Sequence, residues 1–292
     1  MAARPSPAPD RSAVPLGDRL PGADVKVLAV IPARLASRRL PRKPLADLGG
    51  KPLIVRVWER VSASGAADGV IVATDSAEIA EACRAAGAAV AMTDGALESG
   101  THRVAQAVSR GGVAAEVVVN VQGDEPFVGA DAIRAAVREV RSGWDVGTVA
   151  TPVRTEDTWR DPAVVKVVRG DRGRALYFSR APIPHPRDGA PSAAALADGR
   201  YLRHVGVYAY TPAALARWAA LPPAPLEELE RLEQLRPLAA GLGIGVGLVP
   251  EAARGVDTPE DLARARERLA LERENTPARA PERRISTRSD TE

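Results

Sequence analysis

Residues 29–45 read AVIPARLASRRLPRKPL. The segment begins as an apolar strand, turns at a proline and then places five cationic side chains in one loop ahead of a helix predicted over 52–62. In an α/β protein, the loop between the first strand and the first helix lies at the carboxyl ends of the strands, where phosphate-bearing ligands bind. The segment therefore predicts a polyphosphate site. Its basic side chains are Arg34, Arg38, Arg39, Arg42 and Lys43.

The common glycine-rich phosphate loops are absent from the sequence. No G-x-x-x-x-G-K-[ST] motif occurs, and the glycines between 241 and 245 lack the spacing of a dinucleotide fingerprint. We therefore expect side chains, more than backbone amides, to hold the phosphates.

Apolar strands and amphipathic helices alternate through the first half of the chain. Strands are predicted at 25–31, 69–75 and 117–122, each a nearly continuous apolar run. A helix is predicted from an N-cap at Ser76 to a stop at Gly87. Such strands joined by helices are typical of a parallel sheet covered on both faces. The prediction is an α/β fold: one Rossmann-like domain with a mixed, mainly parallel sheet.

The second half of the chain changes character. It suggests a small antiparallel sub-sheet, followed by a helix, a strand and a last helix that close the domain. The predicted antiparallel strands are 164–169, 175–179 and 202–210, with a long loop rich in Pro, Ala and Gly at 181–200; the closing elements are a helix over 226–240, a strand over 244–249 and a helix from Pro259.

The composition excludes several classes of protein. The 292 residues contain no apolar run long enough to span a membrane, and the single cysteine, Cys83, excludes a disulfide framework and suits a reducing cytosol. A net charge of +3 and 3% aromatic residues argue against a nucleic-acid-binding surface with stacking platforms. Residues 1–24 and 273–292 are polar and aperiodic, so both are predicted to be disordered tails.

Two carboxylates follow predicted strand ends. Asp124 comes directly after the strand at 117–122, and Asp257 precedes the last helix. Magnesium prefers hard oxygen ligands and usually takes one or two carboxylates together with substrate phosphates. Taken alone, Asp124 could simply occupy a turn and Asp257 could simply cap the helix. Their position at the same sheet edge as the basic loop favours a metal site.

Several segments together resemble the 3-deoxy-manno-octulosonate (Kdo) cytidylyltransferase family of the nucleotide-diphospho-sugar transferase superfamily. The resemblance covers about residues 25–270, and its motifs occur in order along the chain. They are IPAR at 31–34, LPRKPL at 40–45, VATD at 72–75, SGTHR at 99–103, VNVQGDEP at 119–126, ALYFSR at 175–180, YLRHVGVY at 201–208, LEQLR at 232–236 and GVDTPEDL at 255–262.

The resemblance implies a reaction in which CTP and Kdo give CMP-Kdo and diphosphate, with Mg²⁺ as cofactor. It also implies a nucleotidyltransferase domain over 25–270, in which about 160–240 carry the acceptor site and a dimer contact. The implied catalytic residues are Arg34, Lys43, Asp124 and Asp257, of which Asp124 and Asp257 hold the metal. The implied nucleotide site is Ala33, Arg34, Arg39, Lys43, Thr74, Ser99, Gly100, Thr101 and Gln122, and the implied acceptor site is Arg180, His204, Tyr208, Glu233 and Gln234.

The sequence departs from the family pattern at two positions near the expected site. Arg42 stands where the family commonly has Gly, so a positive φ there would strain the backbone or shift the loop. His102 stands where the family usually has Glu, which affects contacts near the ribose.

Three alternatives stay open at this stage. The acceptor could be another ulosonic acid or a phosphonate. The chain could also be a catalytically silent nucleotide-binding regulator, although Lys43, Asp124 and Asp257 are all present. A nucleic-acid-binding module is the third. By resemblance we expect a cytoplasmic homodimer whose partners are CTP and a small acidic sugar, and neither nucleic acid nor membrane.

Overall fold

The computed structural model describes residues 25–37 and 39–274. Its strands are β1 (Val25–Ala33), β2 (Gly69–Thr74), β3 (Ala89–Met92), β4 (Ala115–Val121), β5 (Val146–Pro152), β6 (Lys166–Arg169), β7 (Ala175–Ser179), β8 (Leu202–Tyr210) and β9 (Ile244–Leu248). Its α-helices are α1 (Leu53–Ala63), α2 (Ala77–Ala85), α3 (Gly100–Gly111), α4 (Ala130–Arg141), α5 (Glu156–Arg160), α6 (Ala193–Ala197), α7 (Pro212–Ala219), α8 (Pro225–Glu230), α9 (Leu235–Ala239) and α10 (Pro259–Glu274).

The predicted fold class is confirmed. One sheet has the strand order β3-β2-β1-β4-β8-β5-β9. The β1, β2, β3 and β4 strands run parallel to one another, and β5 pairs in parallel with β9. Between these two groups, β8 runs antiparallel to both β4 and β5. The antiparallel sub-sheet expected from the sequence is the β6–β7 hairpin, which joins the sheet through β8.

Apolar cores cover both faces of the sheet. On one face, Ile54 of α1 and Ile133 of α4 pack against the strands; on the other face, Val104 of α3 and Trp218 of α7 do so. Each such side chain contributes about 1.5–3 kcal/mol by leaving water. Cys83 is buried in the first core, where burial raises the pKa of its thiol to about 12.

The prediction of a single helix over 226–240 is wrong. Two short helices, α8 and α9, occupy the segment, and Arg231 between them adopts a left-handed conformation with φ 53°. Pro237 explains the break, because a proline cannot donate the backbone hydrogen bond that a continuous helix needs from that position. The segment between the helices carries Glu233, which is partly buried, and Gln234, which is buried.

Smaller differences concern element bounds. The β6 strand begins at Lys166 rather than 164, α6 forms inside the loop predicted over 181–200, and α10 continues to Glu274, into the segment expected to be a tail. Residues 1–24 and 275–292 of the predicted tails, and Arg38 of the basic loop, lie outside the described residues. Within the described part, no helix is long and apolar enough to cross a bilayer.

Candidate active site

A cavity of about 360 Å³ opens at the carboxyl ends of β1 and β4. The basic loop after β1, the amino end of α3, the turn after β4 and the segment before α10 line it together. The predicted residues among its lining are Ala33, Arg34, Arg39, Lys43, Gly100, Gln122, Asp124 and Asp257. The structure thus brings the cationic loop and both carboxylates into one site, as the topology of the predicted sheet required.

Lys43 lies between the two carboxylates. Its Nζ donates to Asp124 Oδ2 at 2.5 Å and to Asp257 Oδ1 at 2.9 Å, and Arg39 Nη2 lies 3.0 Å from the same Asp257 oxygen. Burial alone would lower the pKa of the Lys43 ammonium, but the charges and hydrogen bonds of Asp124 and Asp257 outweigh it and raise the pKa. Lys43 is therefore cationic and holds the two carboxylates close to each other.

A turn does not account for the Asp124 side chain, and a helix cap does not account for that of Asp257. Asp257 does not cap α10: the Thr258 hydroxyl accepts from the Asp261 backbone amide, and Asp261 Oδ2 accepts from the Thr258 amide. Asp124 does lie in a turn, closed by the Glu125 amide donating to the Gln122 carbonyl, but its carboxylate points to Lys43. Both side chains are therefore available to bind a cation.

The donor set fits a magnesium ion bound together with a phosphate ligand. Two carboxylates converge on one ammonium, and among the described residues no group of three or more His, Cys, Asp or Glu side chains forms a self-sufficient metal site. Mg²⁺ commonly takes one or two protein carboxylates and completes its octahedron with phosphate oxygens and water. Asp124 and Asp257 would supply that protein share.

The basic loop contains a strained residue at the expected position. Arg42 has φ 56° and ψ 30°, the left-handed conformation that favours glycine, and its guanidinium pairs with Glu78. The one-turn 3₁₀ helix Lys43–Leu45 follows directly. The departure from glycine therefore places an arginine in a strained conformation, and Lys43 next to it reaches both carboxylates.

A glycine is required where the turn after β4 approaches β1. A Cβ on Gly123 would lie 2.8 Å from the Pro32 carbonyl oxygen, closer than real Cβ atoms approach backbone. This contact brings Asp124 beside the basic loop.

The remaining nucleotide-side predictions fall into two groups. Gly100 lines the cavity at the amino end of α3, where unpaired backbone amides favour an anion. Ser99 caps α3, donates from its hydroxyl to Glu233 Oε1 at 2.7 Å and lies 2.8 Å from His102 Nδ1. Thr74 and Thr101 are buried and are not part of the cavity lining in the described residues.

Arg103 is a site residue that the sequence reasoning missed. It lines the cavity although it is buried, and its guanidinium donates from Nη2 to Asp75 at 3.2 Å and from Nη1 to the Thr93 hydroxyl. The signal was present, since Arg103 and Asp75 each end a motif quoted above.

A second cavity of about 360 Å³ adjoins the first and shares Arg39 and Asp257 with it. Of the predicted acceptor residues, His204 lines this cavity, and its ring centroid lies 5.3 Å from that of Tyr208, which is buried. Burial raises the pKa of Tyr208, so its hydroxyl is neutral.

The other predicted acceptor residues lie in two places. Glu233, a predicted acceptor residue, accepts a hydrogen bond from Ser99, a predicted nucleotide residue. Gln234, next in the sequence, is buried at the start of α9. Arg180, after β7, directs its guanidinium to backbone carbonyls, which include Glu230 O at 2.9 Å.

His204 is neutral in the structure. Burial, followed by the nearby charge of Arg203, lowers its pKa to about 3. Its Nε2 lies 2.8 Å from Thr148 Oγ1, and the Thr148 hydroxyl donates to the Val207 carbonyl. Since that hydroxyl has only one proton, Nε2 must be the protonated nitrogen, and Nδ1 remains as a hydrogen-bond acceptor.

Glu125 is a second residue that the sequence reasoning passed over. It lines the second cavity next to Asp124, and burial, followed by the charge of Asp124, raises the pKa of its carboxyl to about 8. A carboxyl that stays protonated near neutrality can donate a hydrogen bond as well as accept one.

The sheet order and a cationic loop facing paired carboxylates define the class of protein: a nucleotidyltransferase. Comparison with known proteins agrees, because the family model described as cytidylyltransferase matches residues 28–244. A 3-deoxy-manno-octulosonate cytidylyltransferase of Gemmatimonas aurantiaca is 54% identical over 82% of this chain and 92% of its own length. The enzyme of that name from Anaeromyxobacter is 49% identical over 84% of this chain and 97% of its own. The chain therefore belongs to the 3-deoxy-manno-octulosonate cytidylyltransferase family.

A solved structure supports the same assignment. CMP:2-keto-3-deoxy-manno-octonic acid synthetase in complex with CTP superposes with a TM-score of 0.77 at 38% identity, covering 85% of this chain and 99% of that one. A 4-diphosphocytidyl-2C-methyl-D-erythritol synthase from Anaerococcus prevotii, at 16% identity and a TM-score of 0.53, shares the fold alone.

Proposed function

We propose that this protein transfers the cytidylyl group of CTP to 3-deoxy-manno-octulosonate, giving CMP-Kdo and diphosphate. The observation that carries the proposal is the convergence of Lys43 on Asp124 and Asp257 at a sheet edge lined by further arginines. The names of the relatives and of the CTP-bound neighbour support this choice of substrates.

The chain's own residues would divide the work between two cavities. In the first, Arg34, Arg39 and Lys43 would hold the triphosphate, and their charges would stabilise the diphosphate as it leaves. Asp124 and Asp257 would hold Mg²⁺, which supplies charge neutralisation and a lowered pKa of the attacking hydroxyl. An O–P bond forms between the anomeric oxygen and the α-phosphorus, the bond to the bridging oxygen breaks, and the hydroxyl proton passes to solvent.

The second cavity would hold the sugar acid. His204 would present an unprotonated Nδ1 to accept from a sugar hydroxyl. Arg180 lines neither cavity and donates to backbone carbonyls, so its planar guanidinium would have to turn toward the sugar carboxylate. Arg39 and Asp257 line both cavities, so the two substrates would meet there.

The test is diphosphate release from CTP and Mg²⁺ with Kdo, compared with other ulosonic acids and with phosphonates, and with CMP-Kdo identified by mass. We expect the highest kcat/KM with Kdo. A higher value for another acid would assign the acceptor differently. CTP binding without turnover on any acceptor would make the protein a silent nucleotide-binding regulator.

We also propose that the protein is a cytoplasmic homodimer. The single buried thiol suits a reducing compartment, and α8 exposes two leucines, Leu226 and Leu229, the second with 81% of its surface accessible. Light scattering coupled to gel filtration would measure the mass, and a mass of one chain would contradict the dimer.

A further inference from the structure

Lys166 is a buried cation that the proposed chemistry does not use. Its side chain has no exposed surface, and its ammonium donates three hydrogen bonds, all to backbone carbonyls. The acceptors are Asp161 O at 2.9 Å, Val164 O at 2.6 Å and Arg180 O at 2.6 Å. An ammonium has three donors, so its capacity is fully used.

The three carbonyls come from two separate segments. Asp161 and Val164 belong to the loop between α5 and β6, whereas Arg180 follows β7. Burying a charged lysine costs free energy unless hydrogen bonds compensate, and here they fix the distance between these two segments.

Both segments reach the acceptor residues. The Pro162 carbonyl, between the two loop carbonyls that Lys166 holds, accepts from Arg180 Nη1 at 3.1 Å. Next in the loop, Ala163, Val164 and Val165 line the second cavity. The Val165 carbonyl also accepts from the His204 amide at 2.8 Å.

The strand register puts Lys166 at the centre of this arrangement. It lies opposite Ser179 on β7 and opposite Arg203 on β8, the residues that directly precede Arg180 and His204. The Lys166 side chain therefore ties the loop wall of the second cavity to Arg180, and its backbone lies between β7 and β8, next to Arg180 and His204.

We propose that Lys166 is a positioning residue of the acceptor site: its ammonium sets the placement of the Arg180 guanidinium against the 161–165 loop, and so the affinity for an acidic sugar. The inference rests on the proposed function. It requires the effect to be selective, because none of the three carbonyls belongs to a residue that lines the nucleotide cavity.

The test is Lys166→Met, which keeps the length of the side chain and removes its donors. We expect the acceptor KM to rise at least tenfold, with the Kd of CTP, measured by calorimetry without acceptor, unchanged within twofold. Lys51→Met is the matched control, because Lys51 is an exposed lysine paired with Glu59, and it should leave both constants unchanged.

A double-mutant cycle distinguishes positioning from general destabilisation. If Lys166 acts through Arg180, Lys166→Met should add little to the acceptor KM in an Arg180→Gln background. Multiplying effects, or equal changes in the acceptor KM and the CTP Kd, would overturn the inference.

Lys166→Arg covers the case in which the methionine variant does not fold. It keeps the charge and should raise the acceptor KM by less than tenfold, with CTP binding intact; an unchanged acceptor KM would refute the inference. Wild-type protein that fails to turn over any acidic sugar would instead refute the proposed function, and this inference with it.

Discussion

Replacing Lys43 by methionine is expected to change metal binding and turnover in opposite directions. Its ammonium now occupies the space between Asp124 and Asp257, so a divalent cation that uses both carboxylates must displace it. Without CTP, the variant should bind Mn²⁺, a stand-in for Mg²⁺, more tightly than the wild type. Turnover should fall, because Lys43 no longer stabilises the leaving diphosphate.

The size of the effect follows from the two contacts. A hydrogen bond to a charged group contributes about 1.5–3 kcal/mol. Asp257 has 42% of its side-chain surface exposed, so solvent screens its contact with Lys43, and we leave that contact out. For the contact of Lys43 with Asp124, where the lysine is 16% exposed, we count about 1.5 kcal/mol, the lower end of the range. Because about 1.4 kcal/mol is a factor of ten, the Mn²⁺ affinity should rise about tenfold. Losing a donor to developing charge should lower kcat about a hundredfold or more.

The assay is a titration of free Mn²⁺ by electron paramagnetic resonance at low ionic strength, without nucleotide. Lys51→Met again serves as the control, since it removes the same charge from an exposed ion pair outside the site. An unchanged or weaker Mn²⁺ affinity in Lys43→Met would refute the competition between the ammonium and the metal.

Three further outcomes are expected. Asp257→Asn should abolish turnover, since an amide lacks the charge Mg²⁺ requires, while the melting temperature stays within a few degrees; a variant with more than about a tenth of wild-type kcat would remove Asp257 from the metal site. Arg42→Gly should raise the melting temperature by about 2–4 °C by relieving the positive φ, and a lowered melting temperature would show that the Glu78 contact matters more than the strain. For His204, the folded pKa of about 3 lies below the unfolded value of 6.5. The unfolded state therefore binds the proton first, and the free energy of unfolding should fall below pH 6.5 by up to about 1.4 kcal/mol per unit. His204→Gln should flatten that slope in denaturant titrations between pH 6.5 and 4, and an unaltered slope would contradict the assignment.

The nucleotide half of the site was predictable because it follows directly from strand ends. Apolar runs fix where β1 and β4 stop, and in a parallel sheet those ends share one edge, so the basic loop and Asp124 had to meet. Strain at Arg42 was one of two outcomes expected if φ were positive there, and its φ is 56°.

Contacts between residues far apart in the sequence, and the break in the predicted helix, were harder to predict from the sequence. Arg103 ends its motif on α3, and only the fold shows that it lines the cavity with its guanidinium held by Asp75 and Thr93. The apolar pattern of 226–240 resembled one helix, and Pro237 outweighed that pattern. The buried Lys166 gave no sequence signal, because its partners are backbone carbonyls from distant segments.

The strand β8 has a consequence for how the two substrates are kept in register. It carries His204 and Tyr208, and it pairs directly with β4, which ends beside Gln122 and Asp124. Neighbouring strands lie about 4.8 Å apart, and Asn120 lies opposite Tyr208 in this ladder. The backbone hydrogen bonds between β4 and β8 therefore fix the distance between the proposed nucleotide side and the proposed acceptor side of the site. Under the proposed function, side chains on β8 and between α8 and α9 could change to suit another acid while the strands beside the proposed nucleotide site keep their places.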